Sequence, residues 1–132
     1  MTSRSRHISE RIARPEDEVY DYAADPANLP QWAPGLGSSV ENRDGQWFVE
    51  TPEGRAGLAF AERNEYGVLD HYVTLRSGEV VYIPLRVIAD GNGSEVVFTL
   101  RRRPGMSDEE FKADADAVAD DLSRLRQVLE AC

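Results

Sequence analysis

Apolar and polar positions alternate from His7 to Ala13, with Ile8 and Ile12 on one face, and the alternation stops at Arg14-Pro15. A period of two predicts a strand. Pro15 suits the first turn of a helix, where Glu16, Asp17 and Glu18 complement the positive end, and Val19, Tyr20, Tyr22 and Ala23 supply the apolar side. Asp25-Pro26 repeats the device and predicts a short helix through Leu29 and Trp32. From Leu36 to Arg103 turn signals recur at hairpin spacing: Asp44-Gly45, Pro52-Glu53-Gly54, Asn64-Glu65-Tyr66-Gly67, Ser77-Gly78 and Asp90-Gly91-Asn92-Gly93. Five turns predict six antiparallel strands, seven with the first, and a meander this long curls. Ser107 and Glu110 then form a capping box that opens a helix running to Ala131. Along it Phe111, Ala115, Val118, Leu122, Leu125 and Leu129 make one apolar stripe, whose partner must be the curved sheet.

Hairpin parity says which strand positions share a face. A two-residue turn at Asp44-Gly45 aligns Val40 with Val49 and Asn42 with Trp47. A four-residue loop from Pro52 to Arg55 aligns Val49 with Leu58 and Trp47 with Phe60. Another, from Asn64 to Gly67, aligns Leu58 with Val73, Phe60 with His71 and Glu62 with Leu69. A three-residue loop over Ser77, Gly78 and Glu79 aligns Leu75 with Val81 and Val73 with Ile83. The last hairpin sets Val87 against Val96 or Phe98, and Leu85 against Phe98 or Leu100. One face then carries the apolar side chains of every strand. The other carries Asp70, Tyr72, Tyr82 and Arg86, with Asp70 and Arg86 as a cross-strand ion pair.

Four polar residues, Asn42, Thr51, Glu62 and His71, fall on the apolar face, and Glu10 shares the phase of Ile8 and Ile12. Buried polar groups must bond one another or meet a cavity. His71 is the sharpest of them, because a histidine titrates where proton transfer at neutral pH is feasible. Its plain reading is a ring packed on Phe60 and bonded to a neighbour; its functional reading pairs it with Glu62, diagonal to it across the ladder. Trp32, Trp47, Phe60, Phe98 and Phe111 read first as core, although in a fold with a cavity core and lining overlap.

Composition narrows the partners. In 132 residues, 15 basic against 24 acidic side chains give a net charge of −9, which repels phosphate backbones and anionic lipid surfaces. Neither nucleic acid nor a membrane span is expected, since no apolar run approaches the ~20 residues a span needs. Cys132 alone forms no internal disulfide, two distant histidines make no zinc site, and no Gly-x-Ser-x-Gly elbow is present. No metal and no cofactor are expected, and Arg101-Arg102-Arg103 reads as a solvated strand end. The Met1–Arg6 segment lacks the apolar run of a secretory signal, so a soluble cytoplasmic domain is expected, with a homodimer left open.

The order of elements, the Asp25-Pro26, Leu29-Pro30 and Trp32 segment, and the stretches Gly67–Leu75, Pro84–Val87 and Gly93–Phe111 resemble small bacterial members of the SRPBCC superfamily. That superfamily includes START domains, polyketide cyclase/dehydrase-like proteins and birch-pollen-allergen-like proteins. The resemblance covers nearly the whole chain, read as one domain over residues 1–132. It implies an α+β helix-grip fold, with seven curved antiparallel strands around a long C-terminal helix and an apolar cavity between. It carries no shared catalytic motif, so no catalytic residue transfers. The leading expectation is binding of a small hydrophobic molecule, a lipid or an aromatic polyketide-like compound, lined by Trp32, Trp47, Phe60, His71, Ile83, Phe98 and Phe111. The alternatives are a polyketide cyclase/dehydratase using His71 with Glu62 as acid and base, and a protein-interaction module using Tyr72, Tyr82 and Arg86.

Overall fold

Ser5–Ile12 forms strand β1 in the computed structural model, which describes residues 4–34, 39–51 and 53–131; Leu36, Pro52 and Cys132 lie outside them. Helix α1 (Glu16–Ala23) follows, acidic in its first turn and burying Val19, Tyr20 and Ala23. The Asp25 carboxylate accepts the Ala27 amide at 3.0 Å and, with Pro26, starts a 3-10 turn (Pro26–Asn28) that runs into the four-residue α2 (Leu29–Trp32). The two proline-led starts thus place Leu29 and Trp32 in the core.

Strands β2 (Val40–Arg43), β3 (Gln46–Thr51), β4 (Gly54–Phe60), β5 (His71–Thr74) and β6 (Val80–Ile83) form one antiparallel sheet in chain order. Strands β7 (Leu85–Asp90) and β8 (Gly93–Arg101) join β1 in a second sheet, with β8 in the middle. The described residues therefore hold eight strands in two sheets rather than seven in one. The difference is Pro84. It has no amide hydrogen for a ladder, and the strand expected across residues 80–89 breaks there into β6 and β7. Asp70 covers the break by accepting the Leu85 amide at 3.0 Å.

The sheets stay joined on one side of the break, where Val68 bridges Arg86, the Leu69 amide donates to Leu85 O at 2.8 Å and the Val87 amide donates to Gly67 O at 2.9 Å. Gly67 has φ +72°, and a Cβ there would lie 2.1 Å from Val87 O, so only glycine lets this loop lie against β7. On the other side the sheets part. Beyond Phe98, β8 pairs with β1 through Thr99, Leu100 and Arg101, whereas β6 pairs with β5. Among the described residues one backbone bond crosses this seam, from the Thr99 amide to Pro84 O at 3.0 Å.

Two hairpin registers differ from expectation by two residues. The second loop has two residues, pairing Val49 with Ala56 and Trp47 with Leu58, because the Thr51 hydroxyl donates to Gly54 O at 2.7 Å and accepts the Glu53 amide at 3.2 Å. The fourth loop is Arg76-Ser77-Gly78, closed by the Leu75 amide on Glu79 O at 2.8 Å, so Val73 faces Val81 and His71 faces Ile83. A shift of two preserves which face each side chain takes. The first, third and last hairpins pair Val40 with Val49, Phe60 with His71, Val87 with Val96 and Leu85 with Phe98.

Helix α3 (Asp108–Glu130) begins with the capping box, the Ser107 amide donating to Glu110 Oε1 at 3.0 Å and the Glu110 amide to Ser107 Oγ at 3.1 Å. It packs on β1, β8 and α2. Leu122, Leu125 and Leu129 enter one core with Leu29 of α2 and with Ile12, Val49, Leu58, Val73 and Leu85 from both sheets, and Val118 lies at its edge. Phe111 and Ala115 are buried outside that cluster, so the N-terminal half of the helix stands away from the five-stranded sheet.

Candidate functional site

Where the seam opens, β6, the end of β8 and the N-terminal half of α3 enclose a groove of about 640 Å³. Val81, Ile83, Phe98, Leu100, Ala117 and Val118 supply its apolar strip, and Glu79, Arg101, Arg102, Arg103 and Asp114 stand around it. At the inner end Phe98, Val118 and Asp121 are shared with a much smaller cavity of about 20 Å³. Leu29, Trp32, Ala33, Phe60, His71, Leu85 and Leu122 complete that cavity. Five of the expected lining residues, Trp32, Phe60, His71, Ile83 and Phe98, thus border the groove or the cavity.

Two do not. Trp47 is half-buried at the edge of the core, facing Asn42 and Leu58 on the neighbouring strands. Phe111 is buried beneath the Arg102 guanidinium, 4.6 Å from the ring centroid, and lines neither space. The arginine run at the rim is engaged in ion pairs: Arg103 with Glu79 at 2.6 Å and Arg102 with Asp108 at 2.8 Å.

His71 sits mid-sheet between Phe60 and Ile83, 3% exposed, with its ring stacked on Phe60 at 4.8 Å and 15°. Its Nδ1 lies 3.0 Å from Leu69 O, so Nδ1 carries the proton and donates it. Burial pushes the imidazole below its ordinary value, which the Leu69 bond and Asp70 only partly offset. A neutral ring with Nδ1–H leaves Nε2 as an acceptor. The expected Glu62 partner is absent from this ring. Glu62 lies past the end of β4 and is exposed. The chain leaves the ladder after the Ala61 amide meets Asp70 O at 2.8 Å, because Asn64 gathers the loop. The Asn64 side chain donates to Glu62 O and Val68 O and accepts the Tyr66 and Val68 amides.

The other polar residues assigned to the apolar face are likewise diverted. Asn42 is exposed and accepts the Gly45 amide in its turn, Thr51 is spent within its hairpin, and Glu10 pairs with Arg126 at 3.2 Å. Trp32, by contrast, buries its indole Nε1–H with no partner among the described residues. Asp121 is the functional candidate that sequence reasoning misses. Burial pushes its carboxyl up to about 6 although Arg124 Nη1, 3.1 Å from Oδ1, opposes the shift. The same Arg124 Nη1 donates to Trp32 O at 3.2 Å and ties α2 to α3. The signal was available: Asp121 follows Val118 by three and precedes Leu125 by four, which puts it on the flank of the apolar stripe.

On the outer face Asp70 accepts Arg86 Nε and Nη2 at 2.8 Å each and the Tyr82 hydroxyl at 2.7 Å. These bonds, Arg86 first, hold its carboxyl at about 2. Tyr72 and Tyr82 are exposed and pack on each other at 5.0 Å. Among the described residues no helix is long and apolar enough to cross a membrane.

Residues 5–130 match the family model described as polyketide cyclase/dehydrase and lipid transport. The chain belongs to that family. Solved structures share the fold at low identity. XoxI from Bacillus cereus is 15% identical with a TM-score of 0.75, covering 97% of this chain and 96% of its own. A START superfamily protein from Mycobacterium smegmatis is 11% identical with a TM-score of 0.70, covering 98% and 99%. Ara h 8.0201 is 15% identical with a TM-score of 0.70, covering 97% and 98%. No curated protein matches the chain in sequence. The polyketide cyclase/dehydrase and lipid transport family thus accounts for the SRPBCC resemblance and the helix-grip architecture, with the extra strand boundary at Pro84.

Proposed function

We propose that this family member binds one small apolar molecule, a lipid or an aromatic polyketide-like compound, in the groove between β6, β8 and α3. The supporting observation is the groove itself: about 640 Å³, with an apolar strip through Ile83, Phe98 and Val118 that continues inward to the cavity under Trp32 and His71. Apolar walls with a few fixed polar groups are what such sites need. Binding fits the geometry better than proton transfer does, since the hydrogen bond made by His71 goes to a backbone carbonyl and Glu62 is elsewhere.

Native mass spectrometry of freshly purified protein, followed by denaturing extraction, tests the reading. The expected result is an apolar compound at one per chain that is lost when Val118→Trp fills the groove. An adduct that survives V118W would put the ligand elsewhere. Protein free of adduct that also fails to bind naphthalene-sized probes would remove the reading.

A further inference from the structure

Two of the residues that line the inner cavity, Trp32 and His71, carry polar ring atoms that are out of keeping with an all-apolar space. Trp32 buries an N–H donor that nothing among the described residues accepts. An unsatisfied buried donor is destabilising, and buried tryptophans usually find a partner. His71 lines the same cavity with a neutral ring whose Nδ1–H is spent on Leu69 O, leaving Nε2 as its acceptor. The cavity that both residues line, about 20 Å³, suits a single oxygen-sized group rather than a ring or a chain. All the other lining residues of this cavity except Asp121 are apolar.

One donor and one acceptor call for a group that is both. A carbonyl or ether oxygen would satisfy Trp32 and leave His71 unmet; an ammonium would satisfy His71 and leave Trp32 unmet. A hydroxyl satisfies both. We propose that the molecule bound in the groove is hydroxylated at its inner end, its oxygen accepting from Trp32 Nε1–H and its proton donated to His71 Nε2. The assignment rests on the groove reading above and adds the ligand's chemical class: a phenol, an enol or an alcohol on an apolar body. Phe98 and Val118, common to groove and cavity, form the neck that separates the apolar body from the hydroxyl seat. Discrimination follows from the cost of the wrong group. A methyl in the hydroxyl's place leaves both polar atoms unpaired, whereas a hydroxyl entering a site without them is the group left unpaired.

The probes are 2-naphthol and 2-methylnaphthalene, which share size and shape, titrated into the full chain and followed in the indole N–H region of the ¹⁵N spectrum. The sequence has two tryptophans, so Trp32→Phe assigns the Trp32 resonance. We expect 2-naphthol to bind about tenfold more tightly and to move that resonance downfield, with 2-methylnaphthalene leaving it in place. Trp32→Phe and His71→Phe, each keeping a ring and each leaving the hydroxyl one partner short, should each lower the ratio of the two affinities by about threefold or more. Equal affinities, a preference for 2-methylnaphthalene in the wild type, or a naphthol preference that neither variant lowers overturns the hydroxyl seat and leaves the groove standing. The wild-type resonance reads the contact even where a variant folds poorly, and an unmoved indole signal on naphthol binding also overturns it. Failure of both probes to bind removes the groove reading, and the hydroxyl seat with it.

Discussion

Asp121→Asn should make the protein more stable at neutral pH. The carboxyl lies at about 6 in the folded chain against 3.8 for an ordinary aspartate, because burial between α3 and the cavity disfavours its charge. A raised folded value means that protonation supports the fold: the contribution is complete below about pH 4, fades as pH rises from 4 to 6, and is gone above. Two pH units at about 1.4 kcal/mol each set a ceiling near 3 kcal/mol for the penalty of carrying the charged carboxylate at pH 8. The side chain is 22% exposed and its partner Arg124 41%, so solvent screening brings the expected gain to about 1–2 kcal/mol. For a chain of this length that is roughly 5 °C in Tm. Urea unfolding of both proteins at pH 4, 6 and 8 measures it, with the advantage of D121N near zero at pH 4 and full at pH 8. Equal or lower stability of D121N at pH 8, or an advantage that does not change with pH, would refute the placement of a strained carboxylate at the mouth of the cavity.

Two further substitutions probe the sheet. Asp70→Asn should cost about 1–2 kcal/mol at pH 7, because the native carboxyl is held at about 2 by Arg86, Tyr82 and the Leu85 amide; its contribution is present above pH 4 and lost as pH falls toward 2, so the two urea midpoints should converge on acidification. Gly67→Ala combines a positive φ with a Cβ placed 2.1 Å from Val87 O, and should lower stability by about 3 kcal/mol or more in the same assay; a loss below about 1 kcal/mol would mean that the loop does not lie against β7 as described.

Hairpin parity made the inner face legible because side-chain direction repeats every two residues. The misjudged loops at Pro52 and Ser77 shifted the pairing by two and left Leu58, Val73 and Ile83 facing inward. The long helix was legible from Ser107, Glu110 and the stripe, which are local signals. Glu62 was not, since its phase continued the pattern of Leu58 and Phe60 while Asn64, two residues on, pulled the backbone out of the ladder. Pro84 was visible as a residue, but whether a proline ends a strand or bends it depends on what accepts the neighbouring amide, and Asp70 lies far away in sequence. The Trp32 donor and the Asp121 carboxyl are site features for a similar reason. Each is defined by what α2 and α3 bring together through Arg124, a contact between residues 92 apart.

The missing amide at Pro84 also separates two properties that binding proteins often have to trade against each other. The entrance exists because a backbone ladder cannot be completed, which is a matter of main-chain chemistry at one position, whereas the walls are made by side chains on β6, β8 and α3. Aperture and lining are therefore independent variables. Residues such as Val81, Leu100 or Ala117 can be exchanged to reshape the groove without closing it, and its mouth can be narrowed or widened at residues 84 and 99 without changing those walls.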